Sequence, residues 1–126
     1  MIDKNLLLVE PDKLLANSYL KALSSLGYRV LIAHDAQGAI NQLDKTKVDL
    51  VILEVQLVEH SGIEFLYELR SYPEWDNVKV IILSSIPNHE FKDNLNILKN
   101  DLQVEQYLYK NDTKLNRLVE VIENTV

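Results

Sequence analysis

The 126-residue chain contains no cysteine. That absence removes disulfides, thiolate nucleophiles and zinc-thiolate sites together, and it fits a reducing compartment, so the cytoplasm is the expected location. Glycine is nearly as scarce. Only three occur, and none forms a phosphate-cradling loop after the first apolar run, which argues against a glycine-rich nucleotide site. Positive charge is in deficit as well: thirteen Lys and Arg face nineteen Asp and Glu, for a formal net charge of -6. No basic stripe offsets it. Such a surface repels phosphate backbones and anionic membranes, so neither nucleic acid nor membrane is expected as a partner, and proteins are. The opening Met1-Ile2-Asp3-Lys4 lacks the layout of a signal peptide, and no apolar run approaches the length needed to cross a bilayer.

Catalytic and metal motifs are also missing. His34, His60 and His89 lie in separate predicted loops or strand ends without paired ligand spacing, so they are expected at the surface and not around a metal. No G-x-S-x-G elbow follows a strand, and hydrolase chemistry is unsupported. The chain is not expected to be an enzyme.

What remains is ordinary globular composition, 47% hydrophobic and 25% charged. The length suits one domain, and no Gly/Ser linker, low-complexity stretch or internal repeat suggests a boundary, so residues 1–126 are expected to form a single domain. Short β-branched and leucine-rich runs alternate five times with segments of helical spacing. The strand candidates are Asn5 to Val9, Arg29 to His34, Asp49 to Val55, Lys79 to Leu83 and Val104 to Tyr109. The first, third and fourth are nearly continuously apolar, as suits central strands of a parallel sheet covered on both faces.

Leu15, Tyr19, Ala22, Leu23 and Leu26 form a first helical stripe, closed by Gly27 as a left-handed cap. Ala36, Ala39, Ile40 and Leu43 mark a second helix. A third carries Ile63, Phe65, Leu66, Tyr67, Leu69 and Arg70 behind a Ser61/Glu64 capping box, with Pro73 closing the segment. Phe91, Leu95 and Leu98 indicate a fourth, and Leu115, Leu118, Val119, Ile122 and Val126 a fifth after an Asp112 cap. Alternation of this kind, with right-handed crossovers, gives an α/β fold: a doubly wound, five-stranded parallel sheet, flavodoxin-like (βα)5, in strand order 2-1-3-4-5.

Chemistry in such sheets collects at the carboxyl ends of the strands beside the reversal in strand order. The residues falling there are Glu10, Pro11 and Asp12 after strand one, Glu54 closing strand three, Ser84 and Ser85 after strand four, and Lys110 after strand five. Acids, hydroxyls and one lysine share a rim. Over its whole length the chain resembles the response-regulator receiver family, whose chemotaxis-type members place an acidic pair, a phosphoacceptor aspartate, a Ser/Thr and a lysine at these four strand ends. Leu6-Leu7-Leu8-Val9-Glu10 resembles the first strand with its acidic pair, and Asp49-Leu50-Val51-Ile52-Leu53-Glu54 the acceptor strand. Leu57 and Gly62 match the loop that follows. The resemblance makes Ser84 the phosphoryl-sensing hydroxyl and Tyr107, three residues before Lys110, the switch aromatic.

Three departures stand out. Glu54 replaces the acceptor aspartate, and its extra methylene moves the carboxylate by about 1.5 Å, where misplacement of ~1 Å already costs about a hundredfold in rate. Pro11 replaces the second acid of the pair, which leaves Glu10 and Glu54 as a weakened magnesium site at best, since magnesium wants several oxygen ligands in octahedral array. Asp12 could compensate only from the first helical turn, where it points elsewhere, and Pro11 itself reads as a first-turn proline. Asn111 follows Lys110 where the family often has proline, so the lysine is expected to be less fixed.

The resemblance therefore implies a stand-alone receiver in two-component signal transduction, a pseudo-receiver that acts by protein contact without phosphorylation and without a cofactor. A receiver accepting a phosphoryl group from a histidine kinase, on Glu54 or through a rearranged Asp12, is the alternative. The implied partners are a histidine kinase or an effector protein, with a homodimer possible through the fourth helix, fifth strand and fifth helix. The segment from Ser84 to Lys110 is longer than the family norm, with an extended helix or loop expected around Pro87-Asn88. Flavin binding shares this topology, but the acidic Glu10-Pro11-Asp12 loop opposes a flavin phosphate. Plainer roles stay open: Glu54 as a partly buried acid paired with Lys110, Lys110 as a surface lysine, Ser84 and Ser85 as turn residues, and Tyr107 as a packing residue.

Overall fold

The computed structural model describes residues 2–126. Five strands, β1 (Asn5–Val9), β2 (Arg29–Ala33), β3 (Leu50–Leu53), β4 (Lys79–Ser84) and β5 (Val104–Tyr109), pair in parallel in the order β2-β1-β3-β4-β5. β3 is shorter at both ends than the expected Asp49 to Val55, although Glu54 N still donates to the Val9 carbonyl at 3.0 Å.

Alternation along the strands divides the interior into two cores. Leu7, Val9, Val51, Leu53, Val80 and Ile82 pack against α2 (Ala36–Lys45) and α3 (Gly62–Ser71) on one face. Leu6, Leu8, Leu50, Ile52, Ile81 and Leu83 pack against α1 (Lys13–Ser25) and α4 (Leu115–Thr125) on the other. Beyond Asn5 and Lys79 at their starts, neither side of β1, β3 or β4 meets water, which is why the runs 6–9, 50–53 and 80–83 are apolar rather than alternating.

The helix ends follow local chemistry. Asp12 caps α1 by accepting from Leu15 N at 3.1 Å, and Gly27 beyond its end sits at φ 100°, where a side chain would be strained. Ser61 caps α3 by accepting from Glu64 N. At α3 the approach is also steric: a Cβ on Gly62 would lie 2.5 Å from Val55 Cα, so only glycine lets the helix start against the end of β3. Asp112 does not cap the last helix. It belongs to a 3-10 turn, Lys110–Asp112, and Lys114 occupies the cap position without a side-chain bond.

The expected fourth helix is not α-helical. A kinked 3-10 stretch, Asn88–Asn94, and a π turn, Ile97–Asp101, fill the β4–β5 connection. Of Phe91, Leu95 and Leu98 only Leu98 is buried and Leu95 is 42% exposed, so there is no continuous apolar face to hold a regular helix. Arg70 secures the end of this connection. Its guanidinium donates to the carbonyls of Leu102 (3.0 Å), Gln103 (3.4 Å), Trp75 (3.3 Å) and Val78 (2.8 Å), tying α3 to the start of β5. Its spacing in the sequence marks only a helical stripe.

Candidate functional site

Four strands deliver side chains to one pocket at the carboxyl rim. Glu10 follows β1, Glu54 follows β3, Ser84 ends β4 and Lys110 follows β5. Glu10 and Glu54 are 3% and 4% exposed and Ser84 is fully buried, so the two acids could not remain charged there without partners. They have them. Lys110 Nζ lies 2.5 Å from Glu10 Oε1 and 2.7 Å from Glu54 Oε1, one ammonium between two carboxylates.

Glu54 receives more than the lysine. Its Oε1 also accepts from Ser85 N at 3.0 Å, while its Oε2 accepts from Gln56 N at 3.1 Å and from the Ser84 hydroxyl. Both oxygens thus carry two donors. Glu10 Oε2 accepts from Asp12 N at 3.0 Å. Among the described residues no buried side-chain nitrogen or oxygen lacks a partner.

Burial pushes the Glu54 carboxyl up, but the bonds from Lys110, Ser84, Ser85 and Gln56 outweigh it and hold the group below its ordinary value. Burial likewise depresses Lys110, and the hydrogen bonds and charges of Glu10 and Glu54 prevail to raise it. The pocket is therefore a stable array of charged groups. Its formal charge is negative, two carboxylates against one ammonium.

A relay of contacts runs outward from this array. Ser84 Oγ accepts from Ile86 N at 3.0 Å, and the Ile86 carbonyl accepts from the Tyr107 hydroxyl at 2.6 Å. Tyr107 is half-buried, with burial raising its phenol above the ordinary range against an opposing contact with Ser84. Its ring packs on Phe91 with centroids 5.7 Å apart.

Other sequence expectations meet different fates. Asp12 is not in the pocket: its carboxylate faces the α1 N-terminus, and only its backbone N–H touches Glu10. Pro11 precedes that cap instead of occupying the first helical turn. Lys110, expected to be loosely held beside Asn111, is fixed by both carboxylates. His34 is half-buried and not exposed, with Nδ1 2.9 Å from the Glu10 carbonyl, whereas His60 and His89 are exposed. Ser85 is exposed, and its part in the pocket comes from its backbone.

Gln56 and Ile86 escaped the sequence reading because they act through main-chain groups, which no side-chain motif announces. Tyr19 was read only as part of an apolar stripe. It is a half-buried phenol that burial raises above its ordinary range and that feels the charges of Lys110, Glu10 and Glu54.

A parallel sheet in this order, with acids, a hydroxyl and a lysine converging at its rim, defines a receiver-type signalling fold. Solved structures agree on the fold: a response regulator protein TrrA of Thermotoga maritima in complex with Mg(2+)-BeF superposes with TM-score 0.81 at 21% identity, covering 98% of this chain and 99% of that one. The chemotaxis response regulator CheY4 of Vibrio cholerae gives TM-score 0.83 at 17% identity over 98% of each.

The model of the response regulator receiver domain matches residues 6–123, and the chain belongs to that family. Among curated proteins it is 34% identical over 106 residues to the KDP operon transcriptional regulatory protein KdpE of Escherichia coli, covering 84% of this chain and 44% of that protein. It is 31% identical over 84 residues to adventurous-gliding motility protein Z of Myxococcus xanthus, covering 67% of this chain and 6% of that protein. The chain spans less than half the length of either relative. No helix among the described residues is long and apolar enough to cross a membrane.

Proposed function

We propose that this receiver domain signals by protein contact without being phosphorylated, with the Glu54 carboxylate as the permanent occupant of its pocket. The observation that carries the reading is the set of four donors on that one carboxylate: the Lys110 ammonium, the Ser84 hydroxyl and the N–H groups of Ser85 and Gln56. Donors gathered for an anion are already satisfied by a side chain of the chain itself. An incoming phosphoryl group would have to displace the carboxylate from all four, and the longer glutamate side chain leaves little space for in-line approach.

The donor set argues in the same direction for magnesium. Pro11 has no oxygen to offer from its side chain, Asp12 is committed to the α1 cap, and the Glu10 and Glu54 Oε1 atoms are bound to Lys110. Two carboxylates bridged by an ammonium suit a divalent cation poorly. The residues present do not fit the ion, and Lys110 supplies the positive charge instead.

A domain of this kind transmits its state by docking, to an effector protein or a histidine kinase. The half-buried Tyr107 and the β5 and α4 face beside it are a further surface for pairing with a second copy. Intact mass after incubation with a small-molecule phosphodonor, with and without magnesium, tests the reading. The wild type should gain no phosphoryl mass, and the variant Glu54→Asp with Pro11→Asp should gain it when magnesium is present. A magnesium-dependent phosphoryl adduct on the wild type would establish the working phosphorelay receiver instead.

A further inference from the structure

A second feature lies on the α3 side of the rim, next to the pocket, with Gln56 and Ile86 shared between the two. Two hollows of about 420 and 220 Å³ meet at Ile63 and Phe91, between α3 and the irregular β4–β5 connection. Val58 stands at one end and Tyr67 with Ile97 at the other, and Val58 and Tyr67 are 81% and 54% exposed. Ile63 and Tyr67 are one helical turn apart on α3. Phe91, in the opposite wall, is braced from behind by Tyr107.

The surrounding charge is mainly negative. Glu59 lines the larger hollow, and the two chain segments that form the groove, residues 55–67 and 86–98, carry Glu59, Glu64, Glu90 and Asp93 against Lys92. All four carboxylates belong to exposed residues. Glu64 has one close partner, His60, at 3.4 Å, which is cationic only when protonated.

We propose that this groove docks a cationic amphipathic helix of a partner protein, with apolar anchors one turn apart and Lys or Arg flanking them. Two adjoining hollows suit side chains at i and i+3 or i+4, which lie about 5–6 Å apart along a helix. The acidic border supplies orientation and a faster encounter, and it disfavours a second copy of this acidic chain. The irregular connection contributes to the fit, since a regular amphipathic helix there would bury the face that instead leaves Leu95 and the Phe91 edge open. The inference stands apart from the role of Glu54 and holds whether or not that residue accepts phosphate.

Selection of phage-displayed random peptides of about four helical turns against the full chain tests it directly. The selected peptides should be rich in Lys and Arg, with Leu, Ile or Phe anchors three or four apart, and should perturb the amides of Ile63, Tyr67 and Phe91 in NMR spectra. Tyr67→Ala, and separately Glu59→Lys with Glu64→Lys, should each weaken binding by at least about tenfold. These positions are exposed, so the variants retain the fold, which the unchanged amide spectrum of the sheet verifies. Selection of acidic peptides, recovery of no binder, perturbation confined to β5 and α4, or equal affinity for both variants would overturn the proposal. So would a dimer in sedimentation that Tyr67→Ala dissociates, because the groove would then belong to a second copy.

Discussion

The ammonium of Lys110 lies 2.7 Å from Glu54 Oε1, across 56 residues of sequence, and joins the end of β5 to the end of β3. The same ammonium bonds Glu10 after β1. One cation thus holds together the carboxyl ends of three strands, and its removal should matter beyond the loss of one ion pair. Lys110→Met would leave two nearly inaccessible carboxylates without a counter-charge, at a cost of about 3–5 kcal/mol. Urea denaturation should show that loss. Adding Glu54→Gln to the same chain should recover part of it, since one of the stranded charges disappears.

The pocket also sets a pH range. Glu54 has a folded value below its ordinary 4.5, so its stabilisation is complete above that value and fades as pH falls from there through the folded value. Lys110 has a folded value above its ordinary 10.5, so its stabilisation is complete below 10.5 and fades as pH rises through the folded value. Urea midpoints measured across pH should therefore decline at both extremes, and Glu54→Gln should flatten the acid limb.

Gly62 sets the distance between α3 and the pocket loop. Gly62→Ala would place a methyl group 2.5 Å from the Val55 backbone, and the helix or the loop must shift. A loss of about 1–3 kcal/mol is expected from overpacking of this kind. The amides of Glu54, Val55 and Gln56 should move in NMR spectra, because Gly62 N also donates to the Val55 carbonyl at 2.7 Å.

Much of this architecture is readable in the residues. Continuous apolar runs mark β1, β3 and β4 as covered on both faces, and their terminal polar residues must then fall at the rim, which is why Glu10, Glu54 and Ser84 can be located together from sequence, with Lys110 joining them as the residue after β5. Main-chain donors cannot be found that way. Gln56 and Ser85 bond Glu54 through N–H groups that every residue but proline possesses, so only the path of the loop reveals them. Asp12 shows a second limit, a carboxylate near the site in sequence that the α1 N-terminus captures locally. The β4–β5 connection shows a third. Phe91, Leu95 and Leu98 have helical spacing, but spacing does not ensure burial, and with Leu95 open to solvent the segment settles into 3-10 and π turns.

The claim on which the functional account rests is that Glu54 already fills the anion position among Lys110, Ser84, Ser85 and Gln56. Beryllofluoride with magnesium, a mimic of a bound phosphoryl group, tests it through the amide resonances of Gln56 and Ser85. The account predicts that these signals stay fixed in the wild type and move on addition to the variant Glu54→Asp with Pro11→Asp. Saturable, magnesium-dependent movement of both signals in the wild type would contradict it.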